Sequence, residues 1–206
     1  DMGSKVLVYS DARQDPGGQR GAALARKLAD ELTALRHALD VPMPGIDAAL
    51  DEALAFDGGP VVLADGADNP GGGAPGDATF ILQRLLERGI GNAVVGPLWD
   101  PVAARIALEA GDGATLNLRI GGKIGPLSGA PLDLRVTVQA VQPELMMTGL
   151  AGTPTAMGDS AVVRCQGVDI LLCSLRNQAM GSDLFTNIGV DLGAKKIIVV
   201  KSSQHF

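Results

Sequence analysis

Residues Val61 to Leu86, VVLADGADNPGGGAPGDATFILQRLL, limit the possible folds more than any other stretch of the chain. A short apolar run rich in valine reads as a buried strand, a glycine-dense loop follows, and the segment DATFILQRLLERG then carries apolar residues at helical spacing. Phe80, Ile81, Leu85 and Leu86 would form the buried face of that helix, Asp77 its N-cap and Gly89 its C-cap. The next apolar run, NAVVGPLWD, leads into a helix from Pro101 to Ala110, with Pro101 in the favoured first turn and Gly111 at the end. Strand, helix, strand, helix in this order predicts a parallel β-α-β-α section flanked by helices.

Upstream, KVLVYSD (Lys5 to Asp11) reads as a buried strand. A long helix follows, with Ala22, Leu24, Leu28, Leu32, Leu35 and Leu39 as its apolar stripe. VPMPG ends it, and a shorter helix uses Ile46, Leu50 and Leu54. Downstream of Gly111 the pattern changes. ATLNLRIGG, LDLRVTVQAV, AVVRCQ and VDILLCS alternate apolar and polar residues at period two between Gly, Pro and Ser clusters, which predicts antiparallel hairpins. DLFTNIGVDLGA reads as a short helix and turn, and KKIIVVKSS as a last buried strand. The expected class is therefore α/β, a mixed sheet with a parallel β-α-β-α section followed by antiparallel hairpins.

Composition narrows the partners. Net charge is -6 with pI near 4.8, so the broad basic surface that nucleic-acid backbones require is missing and nucleic acid is not an expected partner. With 46% hydrophobic residues and mean hydropathy of +0.21, the 206 residues can bury a substantial core. No apolar run approaches the roughly 20 residues of a membrane span, and the N-terminus lacks a basic segment followed by an apolar one. A soluble, cytoplasmic protein without a membrane partner is expected. Cys165 and Cys173 have no CxxC spacing and read as buried free thiols.

The glycine loop admits three readings. Gly71, Gly73 and Gly76 satisfy G-x-G-x-x-G between a strand and a helix, with Asp100 near the place of a ribose-binding acid, so a nucleotide-binding module is one. Asp65, Asp68 and Asp77 argue against an anionic ligand, and a Walker loop would need Lys and Ser or Thr where Asp77 and Ala78 stand. The second reading makes the acids the point: Asp65, Asp68 and Asn69, at the carboxyl end of a strand, would orient a substrate amine, pair with a basic residue or support a metal through its ligands. The third is a purely structural or oligomerisation domain, with loop acids bonded to loop amides. Arg176, after a buried strand, could clamp a carboxylate or pair with one of the many aspartates.

DxxDNPGGGAPGDAT (Asp65 to Thr79), VVGPLWDP (Val94 to Pro101), GGKxGPLSGxPL (Gly121 to Leu132) and the closing KxIVVKSSxHF (Lys196 to Phe206) together resemble the C-terminal domain of the microcystinase C (MlrC) family of metallopeptidases. DMGSKVLVYSD at the start is similar to the end of that family's N-terminal catalytic domain. The resemblance divides the chain into 1–57, ending or linking from that domain, and 58–206, the C-terminal α/β domain. It implies a zinc-dependent hydrolase, a protease of small or linear peptides, whose acid and histidine ligands lie mostly upstream of this stretch. The chain would then be the non-catalytic half, part of a longer protein, with the absent catalytic domain and a small peptide as partners; homo-oligomerisation is compatible with this. Asp65, Asp68, Asn69, Gly71, Gly72, Gly73, Lys201, Ser202, Ser203 and His205 are the expected substrate-facing residues, and none is expected to bind metal. Lys123 and Ser128 are weaker candidates, equally explained by a hairpin turn. With only two histidines the chain supplies a two-histidine zinc site only if His37 and His205 meet; His37 reads as a solvated helix residue and His205 as structural or substrate-facing.

Overall fold

The computed structural model describes residues 3–38 and 42–206. Two compact units divide between Pro44 and Gly45, so the helix at 46–55 belongs to the second unit.

In the first unit α1 spans Gln19–Ala34. Asp15 anchors its start by accepting from the amides of Arg20 and Gly21 (3.0 and 2.9 Å), which would otherwise be orphan donors of the first turn. The expected strand at 5–11 does not form. Strands exist only as hydrogen-bonded pairs, and no described residue of the chain pairs with this segment; Leu7 and Tyr9 stand 76% and 93% exposed. The α1 leucines at 24, 28 and 32 and the C-cap Leu35 are exposed as well, and Leu39 lies outside the described residues. His37 falls in the turn beyond α1 and accepts from Arg36 Nε at 3.2 Å.

The second unit is a seven-stranded mixed sheet with four helices: α2 (Ile46–Ala55), β1 (Val61–Ala64), α3 (Phe80–Glu87), β2 (Ala93–Trp99), α4 (Pro101–Ala110), β3 (Thr115–Ile120), β4 (Leu132–Thr148), β5 (Pro154–Cys165), β6 (Val168–Cys173), α5 (Asp183–Thr186) and β7 (Ile197–Val200). Strand order is β1-β7-β2-β6-β5-β4-β3. β1, β7, β2 and β6 run parallel, and β6, β5, β4 and β3 form antiparallel hairpins, as the change of pattern after Gly111 predicts.

Central parallel strands are covered on both faces, so they read as unbroken apolar runs. Alternate residues of β7 show this: Ile197 and Val199 join the core with α3 and α4 through Leu82, Leu85, Ala103, Ala104 and Ala107, whereas Ile198 and Val200 face the core containing Leu184 and Phe185 of α5. α3 starts two residues later than an Asp77 cap would place it, and its buried side chains are Leu82 and Leu85, with Phe80 47% exposed. Its C-terminal glycine behaves as expected: Gly89 adopts φ 64 while Ile90 N–H returns to the Leu85 carbonyl. Pro97, which has no N–H for the ladder, sits where the register of β2 on β6 shifts between Val95 and Leu98. β4 and β5 run further than their period-two segments. Register shifts near Gln142 and Leu145, where Pro143 and the positive-φ Glu144 break the alternation, explain why the sequence pattern stops short.

Both cysteines are free and buried, and burial with the nearby Asp100 charge pushes the Cys173 thiol up to about 12. β6 also buries a charge. Asp169 is 3% exposed, and burial alone would raise its pKa, but the fork of Arg164 (2.6 and 2.9 Å) and Lys195 Nζ (2.7 Å) more than offset that, leaving it lowered. A carboxylate depressed in the folded state contributes stability that is present above its unfolded value of about 3.9 and lost as pH falls through the lower folded value. Urea unfolding between neutral and strongly acidic pH should therefore show wild-type stability falling below pH ~4 more steeply than that of Asp169→Asn. Parallel profiles for the two proteins would remove this ion pair from the acid response.

Candidate functional site

Five segments converge at the carboxyl ends of the parallel strands: the glycine loop after β1, the Trp99–Asp100 corner after β2, the loop at 121–129, the segment 174–178 after β6, and the tail at 201–205 after β7. Open α/β sheets build their sites at this edge, because the strand ends release their loops there side by side.

Lys201 is the buried centre. It continues the alternation of β7, so its side chain enters the layer beneath the start of α3 and is 1% exposed. Its ammonium has three donors, and three acceptors meet them: Asp65 Oδ2 at 2.8 Å, Asp68 Oδ2 at 2.9 Å and the Ala78 carbonyl at 2.6 Å. Asp68 also accepts from the amides of Gly76 (2.8 Å) and Ala78 (2.7 Å), which folds the loop back onto itself.

The amides of the glycine run are committed too. Gly71 N–H donates to Asn69 Oδ1, Gly72 and Ala74 N–H to the Asn69 carbonyl, Gly73 N–H to the Pro70 carbonyl and Thr79 N–H to the Ser128 carbonyl. A phosphate approaching Gly71, Gly73 and Gly76 would have to displace internal hydrogen bonds before it gained any from them, so the G-x-G-x-x-G spacing does not make a phosphate cradle here. Close packing explains at least one of the glycines. A Cβ on Gly71 would lie 1.6 Å from Gln178 Oε1, so the Gln178 amide rests directly on the Gly71 backbone.

Asp77 is not the N-cap of α3. The helix begins at Phe80 with Thr79 in the cap position, and the Asp77 carboxylate turns to the loop at 121–129 instead. There Oδ2 accepts from the amides of Lys123 (2.7 Å) and Ile124 (3.0 Å), and Oδ1 accepts from the Ser128 hydroxyl. Asp100, expected near a ribose-binding position, caps α4 through Ala103 N–H and holds Gly121 N–H and the Lys123 ammonium (2.6 and 2.8 Å). Lys123 and Ser128 are thus tied to these two acids. The WDP sequence, an acid before a proline at the first helical position, was the signal for the Asp100 cap.

The proposed substrate-facing residues therefore divide. Asp68, Asn69, Lys201 and Ser202 are buried and Asp65 is half-buried, whereas Gly71, Gly72, Gly73, Ser203 and His205 are exposed. Asn69 Nδ2 donates to Ser203 Oγ at 2.6 Å, and Gln178 Nε2 meets His205 Nδ1 at 3.1 Å, so the tail is stitched to the loop and to segment 174–178. The buried Ser202 hydroxyl makes no hydrogen bond to the described residues. Sequence reasoning missed Trp99 and Gln178. The Trp99 indole N–H donates to the Ser174 carbonyl (3.1 Å), its backbone N–H to the Gly76 carbonyl (2.8 Å), and the Arg176 guanidinium lies 5.9 Å from the ring centroid.

Among the described residues, no group of three or more His, Cys, Asp or Glu is arranged to hold a metal ion. Asp65 and Asp68 already share the Lys201 ammonium, so a zinc ion does not fit these side chains. Among the described residues, no helix is long and apolar enough to cross a membrane.

A mixed α/β sheet with a rigid glycine loop and a polar tail at its carboxyl edge defines the class of domain. Residues 63–206 match the family model described as MlrC C-terminus, and the chain belongs to this family. It is 34% identical over 205 residues to microcystinase C of Sphingomonas sp, covering 100% of this chain and 40% of that protein. Its fold is similar, with a TM-score of 0.77 and 27% identity, to the crystal structure of a protein from Mesorhizobium sp. BNC1 whose name assigns it to the metallopeptidases; the match covers 88% of this chain and 37% of that one. The chain thus spans about two fifths of the length of these relatives.

Proposed function

We propose that this chain is the C-terminal, non-catalytic half of a zinc-dependent metallopeptidase hydrolysing small or linear peptides, and that it contributes the glycine loop to the substrate cleft beside the catalytic domain. One observation carries the reading: the loop's charged groups are committed to its own rigidity, while its glycine face and the Ser203 and His205 tail remain exposed at the carboxyl edge of the sheet. Rigid positioning of a substrate removes orientational freedom before the chemical step.

In this reading Lys201, Asp65 and Asp68 hold the loop and do not touch substrate. The amides of Gly71, Gly72 and Gly73 are engaged, so the face offers carbonyl oxygens to substrate N–H groups, the edge pattern of an extended peptide. Ser203, placed by Asn69, and His205, placed by Gln178, add polar contacts at the same rim. Zinc, held by residues outside this chain, would supply the activated water.

The experiment compares this chain with a longer protein that joins it to an MlrC-type N-terminal domain. Peptidase activity and bound zinc are expected in the longer protein and neither in this chain. Stoichiometric zinc with turnover by these 206 residues alone would overturn the proposal.

A further inference from the structure

Of the seven arginines in the second unit, Arg84, Arg88, Arg105, Arg119 and Arg164 each hold a carboxylate, whereas Arg135 and Arg176 pair with none among the described residues. Arg135 lies on β4 at the hairpin end of the sheet, paired in register with Asn117 of β3. Arg176 stands at the carboxyl edge, exposed, in a chain that carries 23 acids against 17 Lys and Arg. A guanidinium with no carboxylate among the described residues keeps its planar fork open to an anion from outside the chain.

Two contacts orient it. The guanidinium lies over the Trp99 ring, and one of its amino groups reaches the Ala74 carbonyl of the glycine loop at 3.4 Å. Trp99 is itself held by the Ser174 and Gly76 carbonyls. A single long bond to Ala74 leaves most of the five guanidinium donors without a protein acceptor, enough for the two parallel bonds of a carboxylate. The anion is not a phosphate bound with help from the loop, because the neighbouring amides are taken; planar, bidentate recognition is what remains.

We propose that Arg176, held on Trp99 beside the glycine loop, binds a carboxylate of the peptide substrate, its C-terminus or an acidic side chain. This inference rests on the peptide-substrate reading above and adds to it the chemical class of the group recognised. The loop carbonyls would meet the peptide N–H groups while Arg176 takes the carboxylate.

Trp99 is the only tryptophan of the chain, so its fluorescence reports on Arg176 directly and needs no turnover. The chain is titrated at constant ionic strength with N-acetyl-glycylglycine, with its C-terminal amide, and with N-acetylglutamate amide as a side-chain carboxylate. A saturable change with one or both carboxylates, absent with the amide, lost in Arg176→Gln and kept in Arg135→Gln, is expected; which carboxylate responds separates the two sources. No saturable response, or one that survives in Arg176→Gln, overturns the inference. In the longer protein, Arg176→Gln should raise KM for carboxylate-bearing peptides by at least about tenfold relative to amidated ones, with kcat little changed. A lowered melting temperature with unchanged KM would instead make Arg176 the partner of a carboxylate elsewhere in that protein, and would also overturn it. An inactive longer protein with an intact fluorescence response would count against the peptidase reading and leave carboxylate binding standing.

Discussion

Replacing Lys201 by methionine is expected to lower stability by about 3–5 kcal/mol, the usual loss when one partner of a buried ion pair is removed. The size follows from burial. Side-chain exposure is 1% for Lys201, 12% for Asp65 and 6% for Asp68, so the carboxylates left behind could not recover their hydration. The Ala78 carbonyl would lose its partner in the same step. Adding Asp65→Asn removes one of the stranded charges while Asp68 keeps the Gly76 and Ala78 amides, so the double variant should be more stable than Lys201→Met alone. Urea unfolding of the three proteins measures this. Equal stability of wild type and Lys201→Met would mean that the ion triad does not hold the loop.

Asp77→Ala comes second, with an expected loss of about 3 kcal/mol, because a buried hydroxyl and two backbone amides lose their acceptor at once and each such loss costs roughly 1–3 kcal/mol. A helix cap alone would lose only about 1 kcal/mol, so the magnitude itself separates the two roles. The Ser128→Ala cross-check is sharper. Asp77 and Ser128 are bonded across 51 residues of sequence, so the double variant should lose less than the sum of the single losses. Additive losses would return Asp77 to the role of a cap. Faster amide exchange at Lys123 and Ile124 in Asp77→Ala should accompany the coupling.

Much of the second unit was legible because its elements follow from short-range pattern. The α4 helix carries its start and stop in Pro101 and Gly111, and the strands announce themselves as apolar runs or period-two alternation. The first unit shows the limit. The segment KVLVYSD has the composition of a strand, but a strand needs a partner, and composition cannot supply one. Asp77 shows another: an acid three residues before an apolar helix satisfies the local rule for a cap, while the donors that claim it arrive from Lys123, Ile124 and Ser128. The glycine loop misled in the same way. Its spacing allowed a phosphate, and only its hydrogen bonds show that the amides are occupied.

By itself the sequence determined the class of fold and the family, because apolar periodicity, turn residues and long ordered motifs are written along the chain and need no distant partner to be read. Tertiary structure decided which charges are free. β7, the last strand, enters the sheet between β1 and β2 and carries Lys201 beneath a loop more than a hundred residues upstream, where it neutralises the acids that the sequence displays as available. Arg176, with many aspartates in the chain to choose from, ends on an indole ring with none of the described ones as its partner. Ion pairing depends on distances of a few ångströms, and those are set by strand order and loop packing rather than by position along the chain.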